Sequence, residues 1–229
     1  MKMSGGPRQF GVDAEQVPAI LARIGQLDLN FIGFHIFSGS QNLRVEAIKE
    51  AQSKTIDLAY KLSKYVPSPI QSVNIGGGFG IPYFPGDVPL DLDEIGQHLT
   101  GLMPVIKEKL LGARIIIELG RYIAGEAGIY VCEIIDRKIS RGHVFLVTNG
   151  GLHHHLAASG NFGQAIRKNY PVIVANKANS KEREIASVVG PLCTPLDLLA
   201  DKMDLAKAEI GDLIAILQSG AYGLTASPT

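Results

Sequence analysis

Ser72-Val73-Asn74-Ile75-Gly76-Gly77-Gly78-Phe79-Gly80-Ile81-Pro82-Tyr83 begins as a short apolar run and then places four glycines in five positions. Glycine at that density costs backbone entropy, so the bare main chain has to meet something. An apolar run of strand length that ends in such a turn is how a buried parallel strand enters the loop at its carboxyl end. Two readings stay open on this stretch alone: a tight strand-to-loop turn without a ligand, or amides bared for an anion. A dinucleotide fingerprint fits poorly. Gly76-x-Gly78-x-x-Ile81 lacks the third glycine, and Pro82 and Pro85 come before any helix can open.

Outward from that strand the first half alternates. Residues 10–13, 31–36, 73–75 and 115–118 are short, apolar and bounded by glycine or polar residues, as buried strands are. Helical patterns fill the gaps. One begins near Pro18 and carries Ile20, Leu21 and Ile24 on one face. A second runs from about Val45 to Lys64, with Ile48, Ala51, Ala59 and Leu62 at helical spacing. A third starts at Asp91, which with Glu94 makes a capping box, and Pro104 is expected to bend or break it. Repeated strand–helix–strand units imply an α/β architecture with a parallel sheet.

After about Gly128 the texture changes. Residues 129–135, 144–147, 172–174, 185–189 and 213–217 read as strands joined by irregular loops, with one helical insertion near 198–208. The expected organisation is therefore an α/β region over 1–128 and a mainly antiparallel β domain over 129–229.

Composition narrows the function classes. The chain has 229 residues, 46% of them hydrophobic, enough for a real core. Lys+Arg and Asp+Glu balance at 22 each, so no net field draws nucleic acid or a membrane surface. Runs such as Ile115-Ile116-Ile117 are too short to cross a bilayer, and the amino end carries no secretion-signal pattern. Cys132 and Cys193 form no framework or metal spacing, which suits a reduced, cytosolic setting.

The unusual polar residues cluster just after the strands. His35, Phe37 and Ser40 follow the second, Gly76 to Gly80 the third, and Glu118, Gly120 and Arg121 the fourth. Parallel α/β folds place their sites at those carboxyl ends. A hydroxyl, bare amides and an arginine on neighbouring strands make a phosphate cradle. Glu118, a carboxylate at the end of a buried strand, is costly unless paired. It is either a structural partner of Arg121 or aimed at a ligand nitrogen that must stay protonated.

Six motifs in order carry a resemblance. They are Gly33-Phe34-His35-Ile36-Phe37-Ser38-Gly39-Ser40-Gln41, Gly76-Gly77-Gly78-Phe79-Gly80, Glu118-Leu119-Gly120-Arg121, Asn149-Gly150-Gly151, Gly190-Pro191-Leu192-Cys193 and Gly220-Ala221-Tyr222. Together they resemble the fold-type III pyridoxal-phosphate decarboxylases, the group of diaminopimelate, ornithine and arginine decarboxylases. Leu152-His153-His154-His155 and Gly160-Asn161-Phe162-Gly163 look most like a subgroup that includes the butirosin-pathway glutamyl-carrier-protein decarboxylase and exosortase-associated decarboxylases. The resemblance implies the carboxyl half of a (β/α)8 alanine-racemase-like barrel followed by a β domain, and a homodimer with shared active sites. It implies that Ser40, Gly76, Gly77, Gly78, Gly120, Arg121 and Tyr222 hold the phosphate of pyridoxal 5'-phosphate. Phe37 would stack on the ring, where many members have histidine, and Glu118 would keep its nitrogen protonated. Cys193, read alone as an inert buried thiol, becomes the group that returns a proton after carbon dioxide leaves.

The departures are informative. Only four barrel strands are expected, so about half the barrel and the family's Schiff-base lysine lie outside this chain. Lys177, in Ala175-Asn176-Lys177-Ala178-Asn179, belongs to the β domain, and Lys2 lies beside Gly5 and Gly6 in a loop; neither is that lysine. Leu119 replaces a proline and Asn149 an aspartate. Thr194 stands where members acting on basic or diamino acids carry an acid for the distal amine, with Asp197 three residues on. The expected substrate is an amino acid or carrier-bound aminoacyl group without that requirement. A non-catalytic homologue with a binding role is the alternative. His153 to His155, read as an extended segment, alternate in direction and do not converge on a metal.

Overall fold

The computed structural model describes residues 9–162, 164 and 166–228; Lys2, Gly5, Gly6 and Gly163 lie outside them. The chain forms two compact units, one of residues up to Ile81 with Val88–Gly120, the other of Pro82–Asp87 with the residues from Arg121 onward.

The first unit is α/β. Its elements are α1 (Val17–Ile24), β1 (Gly33–His35), α2 (Val45–Ser63), β2 (Ser72–Gly77), α3 (Leu92–Lys109) and β3 (Arg114–Glu118). The strands form one parallel sheet in the order β1-β2-β3. Val73 and Ile75 of β2 pack with Ile56 and Ala59 of α2 and Ile106 of α3, a buried layer between sheet and helices. That layer is why the apolar spacing of α2 and α3 was readable. Asp91 caps α3 by accepting from the Glu94 amide at 3.0 Å. The Glu94 carboxylate turns elsewhere, to Lys49 Nζ at 2.8 Å, and so ties α3 to α2.

Two expectations fail here. Residues 10–13 are not a strand: they have no ladder partner among the described residues, and Phe10 is 74% exposed. An isolated extended segment cannot pair its backbone groups, whatever its side chains. Pro104 does not break α3, which runs on to Lys109. The proline removes one donor, and a helix held by packing on its buried Ile95 and Ile106 tolerates that loss.

The second unit opens with the short helix α4 (Gly120–Ala124), whose first residue belongs to the first unit. Six strands follow: β4 (Tyr130–Ser140), β5 (His143–Thr148), β6 (Val172–Val174), β7 (Arg183–Val189), β8 (Leu198–Ala206) and β9 (Leu213–Ile216). Their order is β6-β9-β4-β5-β7-β8, antiparallel except for β5 with β7. The outermost strands, β6 and β8, approach each other, so the sheet curls nearly closed. Alternating residues such as Val144 and Leu146 fill its interior with Val188, Leu199, Ile214 and Ile216.

β8 corrects the helical insertion expected over 198–208. Leu199, Ala200, Leu205 and Ala206 lack the alternation of a regular strand, yet they are core residues of a bulged one. At the bulge Lys202 takes a left-handed φ of 47°, and its amide donates to Ser187 Oγ at 3.0 Å. An extra residue at such a bulge shifts the two-residue period, which disguises the strand.

His155 is buried in this unit. The Ala158 amide donates to its Nδ1 at 3.1 Å, so Nε2 carries the proton and faces Ser219 Oγ at 2.9 Å. Burial pushes its pKa down to about 4 from an ordinary 6.5. Between those values the unfolded chain takes up a proton that the folded one refuses, so stability is complete above about pH 6.5 and falls toward pH 4. The loss at the acid end is on the order of 3 kcal/mol. Urea unfolding at pH 7 and pH 4.5 should show this slope in the parent and a shallower one in His155→Gln. Equal slopes would count against it.

Candidate active site

The glycine run of β2 meets protein main chain. A Cβ on Gly77 would sit 1.7 Å from the Glu118 carbonyl oxygen, and one on Gly78 2.2 Å from that of Gly39. On Gly76, where φ is +72°, it would strike the Phe37 ring at 2.8 Å. The loops after β1 and β2 are zipped together. Asn42 N donates to Gly78 O and Gly80 N donates to Asn42 O, both at 2.9 Å. Gln41 adds a two-point clasp, Nε2 donating to Ile81 O at 2.6 Å and Oε1 accepting from Ile81 N at 3.3 Å. Ser40 and Gly76 to Gly78 line one open cleft of about 580 Å³, with residues of α2 on its other side.

At the end of β3 the Glu118 carboxylate is 53% exposed and held at both oxygens. Asn74 Nδ2 donates to Oε1 at 2.7 Å, and His35 Nε2 lies 3.2 Å from Oε2. These partners come from the two preceding strands of the sheet, where Arg121 was the expected structural partner. Asn74 works twice, since its Oδ1 also accepts from the Gly76 amide at 2.8 Å and fixes the first turn of the glycine loop. Asn74 and Gln41 were not singled out by the sequence. A primary amide inside a buried strand was the available signal for Asn74.

Within the second unit Arg121 lies between two tyrosine rings. Its guanidinium carbon is 4.6 Å from the Tyr222 ring and 5.4 Å from that of Tyr83, and Nη1 donates to Tyr83 Oη at 3.0 Å. Its Nε is buried with no partner among the described residues. Tyr222 holds a left-handed φ of 61°. Tyr83 is buried against Tyr170, ring centroids 4.7 Å apart, and was missed by sequence reasoning because nothing local marks it.

Cys193 is an exposed free thiol in the loop between β7 and β8, with Thr194 half-buried beside it. Asp197 is buried and engaged with main-chain amides of Leu152 and Leu192, so it does not stand in for the missing acid at Thr194. Asn149 is equally occupied: Oδ1 accepts from Glu133 N at 2.9 Å. Lys177 is paired with Asp212 at 2.6 Å. The three histidines lie in and just after a turn initiated at Gly151, not on an extended segment as expected. His154 Nδ1 meets Tyr130 Oη at 3.2 Å while His155 meets Ser219. Among the described residues no group of three His, Cys, Asp or Glu could hold a metal ion.

The first unit thus presents a carboxylate with both oxygens engaged and a turn of crowded glycines, and the second an arginine stacked between aromatic faces with an N–H unpartnered among the described residues. Residues 29–220 match the family described as "Pyridoxal-dependent decarboxylase, C-terminal sheet domain". The chain belongs to this family of pyridoxal-dependent decarboxylases. It is 38% identical to L-glutamyl-[BtrI acyl-carrier protein] decarboxylase from Niallia circulans, over 100% of this chain and 54% of that protein. It is 29% identical to diaminopimelate decarboxylase from Aquifex aeolicus, over 96% and 50%. The crystal structure of diaminopimelate decarboxylase from M. jannaschii superposes with a TM-score of 0.81 at 25% identity, covering 96% of this chain and 50% of that one. The fold is thus that of these decarboxylases, an α/β part followed by a mainly antiparallel sheet. The chain spans about half the length of the curated relatives it matches.

Proposed function

We propose that this chain is the cofactor-phosphate and proton-donor portion of a pyridoxal 5'-phosphate-dependent decarboxylase that releases carbon dioxide from an amino acid or carrier-bound aminoacyl substrate. The observation that carries the reading is Glu118, whose carboxylate is presented at the carboxyl end of β3 with Asn74 and His35 on its two oxygens. A carboxylate facing a pyridine nitrogen favours the protonated form of that nitrogen. The bound cofactor supplies an electron sink for the pair left by the departing carboxylate. Ser40, Gly76, Gly77, Gly78, Gly120, Arg121 and Tyr222 hold the phosphate in this reading, and Phe37 offers its face to the ring. Cys193 returns the proton to the substrate carbon.

Residues 1–128 are then the carboxyl part of a (β/α)8 barrel and 129–229 the β domain. The assembly is a homodimer in which the Cys193 loop completes the partner's site, and the setting is the cytoplasm. No described helix is long and apolar enough to cross a membrane. Thr194 and the occupied Asp197 disfavour a substrate with a distal ammonium. The first relative's carrier-bound glutamyl substrate is the model for what is acted on. No observation favours the non-catalytic alternative.

The deciding experiment incubates the full-length holoprotein with carrier-bound glutamate, free glutamate and diaminopimelate and measures carbon dioxide. Release from the first is expected, and it should fall at least tenfold in Cys193→Ala. Rapid turnover of diaminopimelate would overturn the substrate assignment, and no release from any amino acid would end the enzyme reading. A second variant tests the phosphate site. Tyr83→Phe deletes the acceptor that steadies Arg121 Nη1 while keeping the ring against Tyr170. Losing a hydrogen bond to a charged group, about 1.5 kcal/mol, should weaken pyridoxal phosphate binding roughly tenfold in a fluorescence titration. Parental affinity would remove Tyr83 from the site.

A further inference from the structure

The loop that carries Cys193 leaves β7 after Val189 and enters β8 at Leu198, and one buried side chain draws its ends together. Asp197 is 3% exposed. Its Oδ1 accepts from Leu152 N at 2.6 Å and its Oδ2 from Leu192 N at 2.9 Å. Its carbonyl accepts from Gly190 N at 3.0 Å, and its own amide donates to Thr194 O at 3.2 Å. The residues on either side of Cys193 are therefore both bound to Asp197. No cation among the described residues pairs with this carboxylate, and main-chain amides are its donors. The space around it is closed as well. A Cβ at Gly151 or at Gly190 would come within 2.3 Å of a carboxylate oxygen. This gives a packing reason for glycine at both positions.

We propose that Asp197 is a positioning residue for Cys193: it clamps Leu192 and Thr194, knots the loop onto the turn at Leu152, and holds the thiol in one place. The catalytic half of this inference rests on the reading of Cys193 as proton donor; the structural half does not. The side chain at 197 must accept on both arms. Asparagine has nearly the same size but one acceptor arm, and its amide N–H would face a second N–H. It therefore breaks one of the two clamps without opening a cavity.

The test uses amide hydrogen exchange and steady-state kinetics on the full-length holoprotein. In the parent, Leu192 N–H sits in an exposed loop yet should be protected at least about a hundredfold over a free chain, the extent a bond to a buried carboxylate provides. In Asp197→Asn, exchange at Leu192 or Leu152 should quicken at least tenfold while β5 and β7 keep their protection. Carbon dioxide release should show kcat reduced about tenfold with KM unchanged, and Cys193→Ser should cost little more in the Asp197→Asn background. Unprotected Leu192 in the parent overturns the clamp, even if the variant does not fold. Quickened exchange with parental kcat overturns the positioning role. If Cys193→Ala alone keeps parental activity, the proton-donor reading fails while the exchange result still decides the clamp.

Discussion

Glu118→Gln in the full-length holoprotein is expected to reduce carbon dioxide release by two to three orders of magnitude. The variant keeps shape and length, so Asn74 and His35 remain beside the side chain. What disappears is the negative charge, and with it the means of keeping the facing ring nitrogen protonated. Loss of one preorganised electrostatic partner typically costs about 10²–10³ in kcat. Because binding of the phosphate is left intact, KM and cofactor content should change little. The absorbance of the bound cofactor should shift as its ring loses a proton. A variant with more than half the parental kcat would dismiss Glu118 from the chemistry and take the carrying observation with it.

Gly77→Ala should have the largest effect on stability. The added methyl would lie 1.7 Å from the Glu118 carbonyl oxygen, a main-chain atom in the neighbouring strand that no rotamer change can move aside. Relief requires parting β2 from β3, so the cost should reach about 3 kcal/mol or more, the upper end of overpacking effects. Urea denaturation followed by far-ultraviolet circular dichroism measures it. Gly96→Ala, which adds a methyl into open space in α3, is the control and should be neutral or slightly stabilising. A Gly77→Ala protein as stable as the control would show that the crowding is not real.

The same glycines show where sequence reading reached its limit. Their density correctly announced a close approach, but two occupants fitted equally well: an anion or another stretch of chain. The structure shows the close approach of chain, since side chains at these glycines would meet Phe37, Gly39 and Glu118, and the anion belongs to the proposal made for this site. Strand β2 was legible because its apolar run is buried, β3 from its apolar run alone, since its residues stay partly or fully exposed, and α2 because Ile48, Ala59 and Leu62 form a buried stripe. β8 was not, because a single left-handed residue at Lys202 broke the alternation that announces a strand. Residues 10–13 carried the pattern without the partner, and hydrogen-bond pairing is a property of two segments, which one segment cannot declare. Glu118 was picked out on an expected cost of burial, yet its carboxylate is 53% exposed; its place at the strand's end was the sounder signal. The same cost applied to Asn74 would have found the residue that aims it. Tyr83 had no comparable signature, since a tyrosine two residues beyond a glycine turn is ordinary until Arg121 is seen against it.

The clasp between Gln41 and the backbone of Ile81 has a consequence for how this region can change. With Asn42 bonded to Gly78 and Gly80 on the same seam, the two strand-end loops form a single plate with no slack in its length. Lengthening or shortening either loop by one residue would slide every later atom of the seam out of register, so such changes should be accepted only in matched pairs. Side chains facing away from the seam are free of that bond. Variation in this region should therefore come as substitutions at fixed spacing, leaving the frame intact while its decoration is exchanged.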